Sequence, residues 1–444
     1  MSKYFRPWNI DQTLLLPPNV QDFVSKGHVS RFIVELVRES LDLQEITGSY
    51  VSGLGQPPFD PRMMVALLLH GYASGLYSSR RIAKACRERN DFVMIVALDP
   101  PDFRTISDFR KRHLKALGAL FLQVLKLCET AGLVKLGHVA LDGTKIKANA
   151  SKHKAMSYER MKKREAELKA EVARMLAAAE AADGEEDETF GKDKRGDEMP
   201  DWAGDKQKRL AKIQQAMAAL EADARLAAAE ERRIEAEKEQ QRQAEGRKKP
   251  GKPAAPPSDQ PDPKSQRNFT DPESRIMKSK DGFVQAQAAV DAGAQIIVAH
   301  ELTQCGNDQG QLVPLIEAIE NNLGRKPDQA SADSGYCSES NLEALEAHGV
   351  DGYVAPGRAK HPTGANGKIG GPLTQRMRKK IDDGGFETPY RLRKQVVEPV
   401  FGQIKQARGF RQFLLRGVEK VRAEWAMICT AHNVLKLFTL ATAA

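Results

Sequence analysis

Gly137-His138-Val139-Ala140-Leu141-Asp142-Gly143-Thr144-Lys145-Ile146-Lys147-Ala148-Asn149 is the stretch on which the reading of this chain turns. Val139, Ala140 and Leu141 form a short apolar, β-prone run that reaches a carboxylate. Beyond it Thr144, Ile146 and Ala148 alternate with Lys145, Lys147 and Asn149 in the period-two pattern of a strand. Two readings compete. Asp-Gly between two strand-like runs is the chemistry of a two-residue hairpin turn. The same residues also describe a central strand that ends in a metal-binding acid, and that reading needs two further carboxylates from elsewhere in the chain.

The chain has 444 residues, 41% of them hydrophobic, with sixteen Phe and three Trp, enough for two or three domains with real cores. Its 68 Lys and Arg against 59 Asp and Glu leave a net charge of +9, a surplus that favours a polyanionic partner over a membrane surface. Cys86, Cys128, Cys305, Cys337 and Cys429 contain no Cys-x2-Cys pair, so neither a zinc cluster nor a disulfide framework is indicated. The N-terminus lacks an apolar signal core, and the run Met63 to Leu69 is too short to span a bilayer. A soluble cytoplasmic protein is expected.

Residues 1–132 read as a helical N-terminal domain. Val29 to Val37 has helical spacing, and Asp60-Pro61 supplies a cap and first-turn proline for the apolar helix through Leu69. Two short basic segments follow, a Ser78-capped one carrying Arg80, Arg81 and Arg87, and one from Ser107 to Leu114. With Asp99-Pro100-Pro101 between them they resemble a loosely spaced helix-turn-helix, a candidate reader of DNA; solvated basic faces are the alternative.

From 151 to 267 the character changes. Met156 to Ala182 and Asp205 to Glu245 are dominated by Ala, Glu, Lys, Arg and Gln, the composition of long exposed helices. Leu210, Ile213, Met217, Leu220, Ala224 and Ala227 keep the three-four spacing of a coiled-coil seam. Gly184 to Gly204 is polar and acidic, and Arg247 to Gln266 is rich in Pro and Lys, so a helical-hairpin insertion with a flexible exit is expected.

Residues 133–150 and 268–444 then make an α/β domain. Gly282 to Val290 and Gln295 to His300 are two strands joined by turn chemistry, and Gln311 to Leu323 is a helix stopped by Gly324. Pro327 onward is a short strand running into Asp333, Ser338 caps a helix from Asn341 to Ala347, and Val350 to Ala355 is another strand. Pro356 to Thr388 reads as Gly- and Lys-rich loop, and the chain is helical from Tyr390 to Leu440. This order implies a mixed sheet with helices on both faces, whose strand ends place Asp142 and Asp333 in one crevice.

The third acid is Glu398, within Tyr390-Arg-Leu-Arg-Lys-Gln-Val-Val-Glu-Pro-Val-Phe-Gly-Gln-Ile-Lys405. Pro399 next to it suits a first helical turn, which puts Glu398 at a helix start, and Lys405 follows two turns later on the same side. Arg391, Arg393 and Lys394 precede the acid; Arg408, Arg411, Arg416, Lys420 and Arg422 follow on the same helical region, a surface suited to a phosphate backbone. Three such carboxylates are what a site needs to hold two Mg2+ ions.

With these motifs in place the chain resembles a DDE-type transposase of a bacterial insertion sequence, in the subgroup with a Tyr-x2-Arg-x3-Glu-x6-Lys signature. The resemblance is carried by Leu-Asp142-Gly-Thr-Lys, Ala-Asp333-Ser-Gly-Tyr and Val-Glu398-Pro-Val-Phe-Gly-Gln-Ile-Lys405, and it extends over most of the chain. Tyr390, Arg393, Glu398 and Lys405 match in order. Four residues rather than three separate Arg393 from Glu398, so either Arg393 or Lys394 takes the place of the signature Arg. The family implies a ribonuclease-H-like fold, Mg2+ (or Mn2+) held by Asp142, Asp333 and Glu398, double-stranded DNA partners in the terminal inverted repeats and the target, and a homodimer or higher synaptic complex. Two alternatives stay open: a metal-dependent nuclease of the same fold without strand transfer, and a non-catalytic DNA-binding relic.

Overall fold

A computed structural model describes residues 19–51, 57–150, 154–190, 201–244, 256–274, 283–304, 308–356, 371–385 and 388–443. The chain forms two compact units. One comprises Met1–Ile146, Gln285–Leu414 and Glu419–Ala444; the other comprises Lys147–Val284 and Leu415–Val418.

The first unit begins with helices α1 (Val29–Glu39), α2 (Gln44–Thr47), α3 (Pro61–Ala73), α4 (Ser79–Glu88), α5 (Asn90–Ile95), α6 (Phe103–Arg112) and α7 (Leu114–Thr130). Pro61 opens α3 and the Asp60 carboxylate accepts from the Arg62 N–H, the cap chemistry expected. The basic helix expected from Ser107 starts earlier, at Phe103, because Asp102 accepts from the Arg104 and Thr105 N–H groups. Ser78 stands at the N-cap of α4 but makes no side-chain cap bond. Arg110 of α6 is buried and donates to Tyr72 Oη, Tyr77 O and Ser79 Oγ, which ties α6 to the ends of α3 and α4.

Among the described residues the strands are β1 (His138–Lys147), β2 (Ala155–Ser157), β3 (Gln266–Asn268), β4 (Phe283–Asp291), β5 (Ile297–Thr303), β6 (Gln329–Ala332) and β7 (Asp351–Val354). Five of them form one sheet in the order β5-β4-β1-β6-β7. β4 and β5 are antiparallel, with Gln285 opposite Thr303, whereas β1 with β6 and β6 with β7 run parallel. The hairpin reading of Asp142-Gly143 is thereby overturned, and so is a strand that ends at Asp142. β1 passes through both residues without a turn, and its partners β4 and β6 come from far along the chain.

Helices α10 (Leu312–Leu323) and α11 (Glu339–Ala347) follow β5 and β6. α10 ends at Gly324 in the left-handed region, and α11 is capped by Ser338, whose Oγ accepts from the Asn341 N–H. The loop expected over Pro356 to Thr388 contains a helix, α12 (Pro372–Gly384), opened by Pro372; residues 357–370 and 386–387 lie outside the described residues. The Gly and Lys content that suggested a loop hides a basic helix whose Leu373 and Thr374 N–H groups are capped by the Glu339 carboxylate.

α13 (Pro389–Gly402) corrects a further expectation. It opens at Pro389 after Thr388, so Glu398 is not at a helix start and Pro399 lies inside the helix. A proline there frees the carbonyl four residues back. That carbonyl, of Gln395, accepts instead from Gln295 Nε2 at 3.1 Å. The helix then widens into a π turn, Gln403–Ala407, closed by the Arg408 N–H on Gln403 O. Continuous helix to Leu440 is also corrected. Residues 408–417 are non-helical, with Gly409 and Gly417 at φ of 71° and 86°, and α14 (Val418–Ala443) starts afresh.

α14 covers the antiparallel side of the sheet. Asn433 uses its amide to accept from the Ile297 N–H and donate to Ile297 O, Trp425 Nε1 donates to Gln287 O, and α7 crosses close to α14 at Gly118. In the second unit, α8 (Tyr158–Phe190) and α9 (Asp201–Ala244) bury Met161, Leu168, Ile213, Met217 and Leu220 together, beside the antiparallel β2-β3 pair. α8 runs on through Gly184, where a polar break was expected; residues 191–200 lie outside the described residues.

Candidate active site

The parallel register of β1 and β6 builds the site. Val139 pairs with Ala330 and Ala140 with Ser331, so that two residues further on Asp142 stands level with Asp333. Each acid is fixed by a backbone N–H of its own motif. Asp142 Oδ1 accepts from Gly143 N and Asp333 Oδ1 from Gly335 N, both at 2.8 Å.

α13 and the π turn contribute two cations to β1. Arg393, 7% exposed, donates from Nη1 to Asp142 Oδ2 at 2.7 Å, and its Nε is buried with no hydrogen-bond partner. Lys405 Nζ donates to Thr144 Oγ1 at 3.0 Å. Thr144 lies two residues after Asp142 and therefore on the same face of the strand. Burial pushes the Asp142 carboxyl up; Arg393 opposes this, and the nearby Asp333 charge adds to it. Burial beside Arg411 pulls the Lys405 ammonium down.

Sequence reasoning missed Asp308, Gln287 and Tyr336. Gln287 of β4 is fully buried, donates from Nε2 to Asp308 Oδ1 at 2.7 Å, and accepts the Tyr336 hydroxyl at Oε1. A Cβ on Gly143 would lie 2.7 Å from Gln287 Nε2 and 3.1 Å from Asp308 Oδ1, so any side chain there would have to displace the Gln287–Asp308 pair. Asn341 brings the Asp308 loop to the second acid, its amide donating to Gln309 O and Tyr336 O at 2.7 Å each. Burial raises the Asp308 carboxyl, helped by the Asp333 charge. Asp308 precedes a helix and reads in sequence as a cap, which is why no signal marked it.

The remaining expected residues are more scattered. Glu398 and Lys394 are exposed on α13, and Tyr390 lies under the Arg393 guanidinium, 5.9 Å from it. Arg408 is turned inward, its Nη2 3.2 Å from His432 Nδ1, while Arg411 is exposed. Arg416 is exposed, in the second unit, and donates to Asn149 O. These three cations therefore do not share one helix. On α4, Arg80, Arg81 and Arg87 are exposed; Arg80 lies over the Phe103 ring and Arg87 donates to Ala83 O.

The donor chemistry suits a hard divalent ion, since Asp142 in the middle of β1, Asp333 just past β6 and Asp308 offer carboxylate oxygens near one another. As arranged, no three acidic, histidine or cysteine side chains among the described residues stand close enough to hold one, and Asp142 is turned onto Arg393. No described helix is long and apolar enough to cross a membrane.

The mixed sheet carries Asp142 within β1 and Asp333 just past the end of the adjacent parallel β6, and α13 carries Glu398 exposed. Comparison with family models is more specific. Residues 18–112 match a model described as a transposase domain (DUF772), and residues 368–438 match one described as a transposase DDE domain. The second match spans Arg393, Glu398 and Lys405, and Asp142 and Asp333 precede it. Neither a curated protein nor a solved structure matched the chain. The two matches support a DDE-type transposase of an insertion sequence, an enzyme that cuts nucleic acid, with DNA as partner; a DDE domain implies a ribonuclease-H-like fold and a divalent metal.

Proposed function

We propose that this protein cuts DNA at the terminal inverted repeats of an insertion sequence and joins the freed 3′-hydroxyl ends to target DNA. The observation that carries the reading is the parallel register of β1 and β6, which puts Asp142 of β1 level with Asp333 just past the end of β6, with Arg393 of an α13 that falls within the transposase DDE match bonded to Asp142. In this reading Asp142, Asp333 and Glu398 hold Mg2+ or Mn2+. When bound, such ions supply Lewis acidity at phosphorus and activate the attacking water or hydroxyl.

The chain's own residues do the rest. Arg393 orients the Asp142 carboxylate through Nη1 and opposes the burial that raises its pKa. Lys405, anchored on Thr144, keeps a second positive charge beside the first acid. Tyr390, Lys394 and Arg411 track the DNA backbone next to the acids, and Arg416 and Arg408 are assigned to backbone contact and to bracing respectively. Arg80, Arg81 and Arg87 on α4 distinguish the element's ends from random sequence. A homodimer or higher complex pairs the two ends, and the protein works in the cytoplasm on the nucleoid.

A plasmid carrying two element ends, incubated with the protein and Mg2+ or Mn2+, tests this. Nicked or excised ends together with strand-transfer products are expected. Cutting without joined products would make the protein a nuclease, and specific binding without cutting a relic.

A further inference from the structure

We propose that Gln295 is a positioning residue for Glu398, an inference that rests on reading Glu398 as one of the acids of the reaction. Glu398 is exposed on α13, so its place is set by the backbone of its own turn rather than by packing of its side chain. The local sequence works against that turn. A residue before proline is disfavoured in the helical region, and Pro399 both removes an N–H and crowds the carbonyl four residues back, a combination that ordinarily kinks or breaks a helix. α13 nevertheless continues through Pro399 to Gly402.

The donor that replaces the missing N–H comes from the turn between β4 and β5, where Gln295 Nε2 reaches Gln395 O at 3.1 Å. Gln295 is itself tied to α14. Its Oε1 accepts from Lys436 Nζ and its carbonyl from His432 Nε2, both at 2.9 Å. With the His432 proton on Nε2, Nδ1 is left to accept from Arg408 Nη2 at 3.2 Å, and the Arg408 N–H closes the π turn that carries Lys405. Gln295 therefore stands where the sheet, α14 and both halves of the α13 segment meet.

Its backbone is a second, independent observation. Gln295 sits at φ of 60°, in the left-handed region that glycine occupies without strain and other residues rarely adopt. A glycine would close this turn at lower cost. Gln keeps the strained conformation together with a side chain whose two bonds both lie outside the turn, and strain held in this way marks a position that serves something other than the turn itself.

Cutting of a plasmid with two element ends by the full-length protein, with Mg2+ or Mn2+, tests the inference beside gel shifts without metal and melting curves. Gln295→Gly removes the donor and relieves the strained φ, so its melting temperature and its affinity for the ends should change little. Its cutting rate at saturating DNA is expected to fall roughly ten- to hundredfold, the size of effect that a small misplacement of a reacting group produces. Pro399→Ala returns an N–H to Gln395 O; alone it should leave the rate unchanged, and combined with Gln295→Gly it should bring cutting back to within roughly threefold of the unaltered protein, because the two changes act on one carbonyl. Gln295→Glu, which keeps the size but cannot donate, serves the same comparison if the Gly variant does not fold. If the Gln295 variants cut at the unaltered rate, or if they are slow and Pro399→Ala does not restore them, Gln295 does not position Glu398 and the inference is overturned. If the unaltered protein itself does not cut with either metal, the catalytic reading of Glu398 has failed and takes the inference with it.

Discussion

Asp142 stands level with Asp333 because β1 and β6 run parallel in a register that pairs Ala140 with Ser331. Two carboxylates held side by side repel, and burial pushes the Asp142 carboxyl up while Asp333 adds to the push. Such an arrangement costs stability unless a cation answers it, and Arg393 does so at 2.7 Å.

Asp142→Asn and Asp333→Asn should each abolish cutting while leaving affinity for DNA nearly unchanged. Loss of metal-borne charge stabilisation is worth several kcal/mol, on the order of a thousandfold in rate. Nicking and gel-shift assays on one preparation check both halves. Cutting at the unaltered rate by Asp142→Asn would remove it from the site.

The Arg393 pair has a stability signature. Arg393→Met leaves the Asp142 carboxylate buried and unanswered, a loss of about 3 kcal/mol. Arg393→Met combined with Asp142→Asn should recover most of it, because no charge is then stranded. Urea unfolding of the two variants measures this, and equal destabilisation of single and double variants would show that the pair matters only for packing.

His432 should set an acid limit. It is 1% exposed, and burial, helped by Arg408, pulls its pKa down to about 3. The unfolded chain, with the ordinary His value near 6.5, binds a proton that the folded chain refuses, so this contribution is fully present above about pH 6.5 and is lost as pH falls toward 3. Between pH 6.5 and 4.5 the loss is roughly 2 kcal/mol. Unfolding curves at several pH values should show this slope, and His432→Gln should flatten it; an unchanged slope would assign the acid sensitivity to other groups.

Salt dependence locates the DNA. Lys394 and Arg411 are exposed in the unit that holds the acids, whereas Arg408 is turned onto His432. Changing Lys394 and Arg411 to Ala should flatten the plot of log affinity against log salt by roughly one to two units, at about 0.9 per phosphate contact. Arg408→Met should leave it unchanged. Filter binding over a salt range decides, and the reverse pattern would put the DNA on another face.

Changing Arg80, Arg81 and Arg87 to Ala should instead reduce the ratio of affinities for element ends and random duplex, with cutting chemistry intact. Competition binding reads the ratio. An unaffected ratio would make α4 a solvated face.

The sequence by itself determined the local pieces. The apolar run 139–141, Asp60-Pro61, Gly324 and Ser338 act within a few residues of themselves, through hydrogen bonds and φ preferences that do not depend on the rest of the chain, and the structure keeps them. Tertiary structure decided whatever depends on a partner far along the chain. Asp142-Gly143 is turn chemistry in isolation, yet β4 and β6 on either side hold it extended. Pro399 reads as a helix start, yet Gln295 satisfies the carbonyl it frees and the helix runs through. Asp308 reads as a cap, and only the buried Gln287, with Asn341 bracing the loop, turns it toward the acids. A side chain's role in such a site follows from which distant donor reaches it, and that distance is set by packing, which no local pattern encodes.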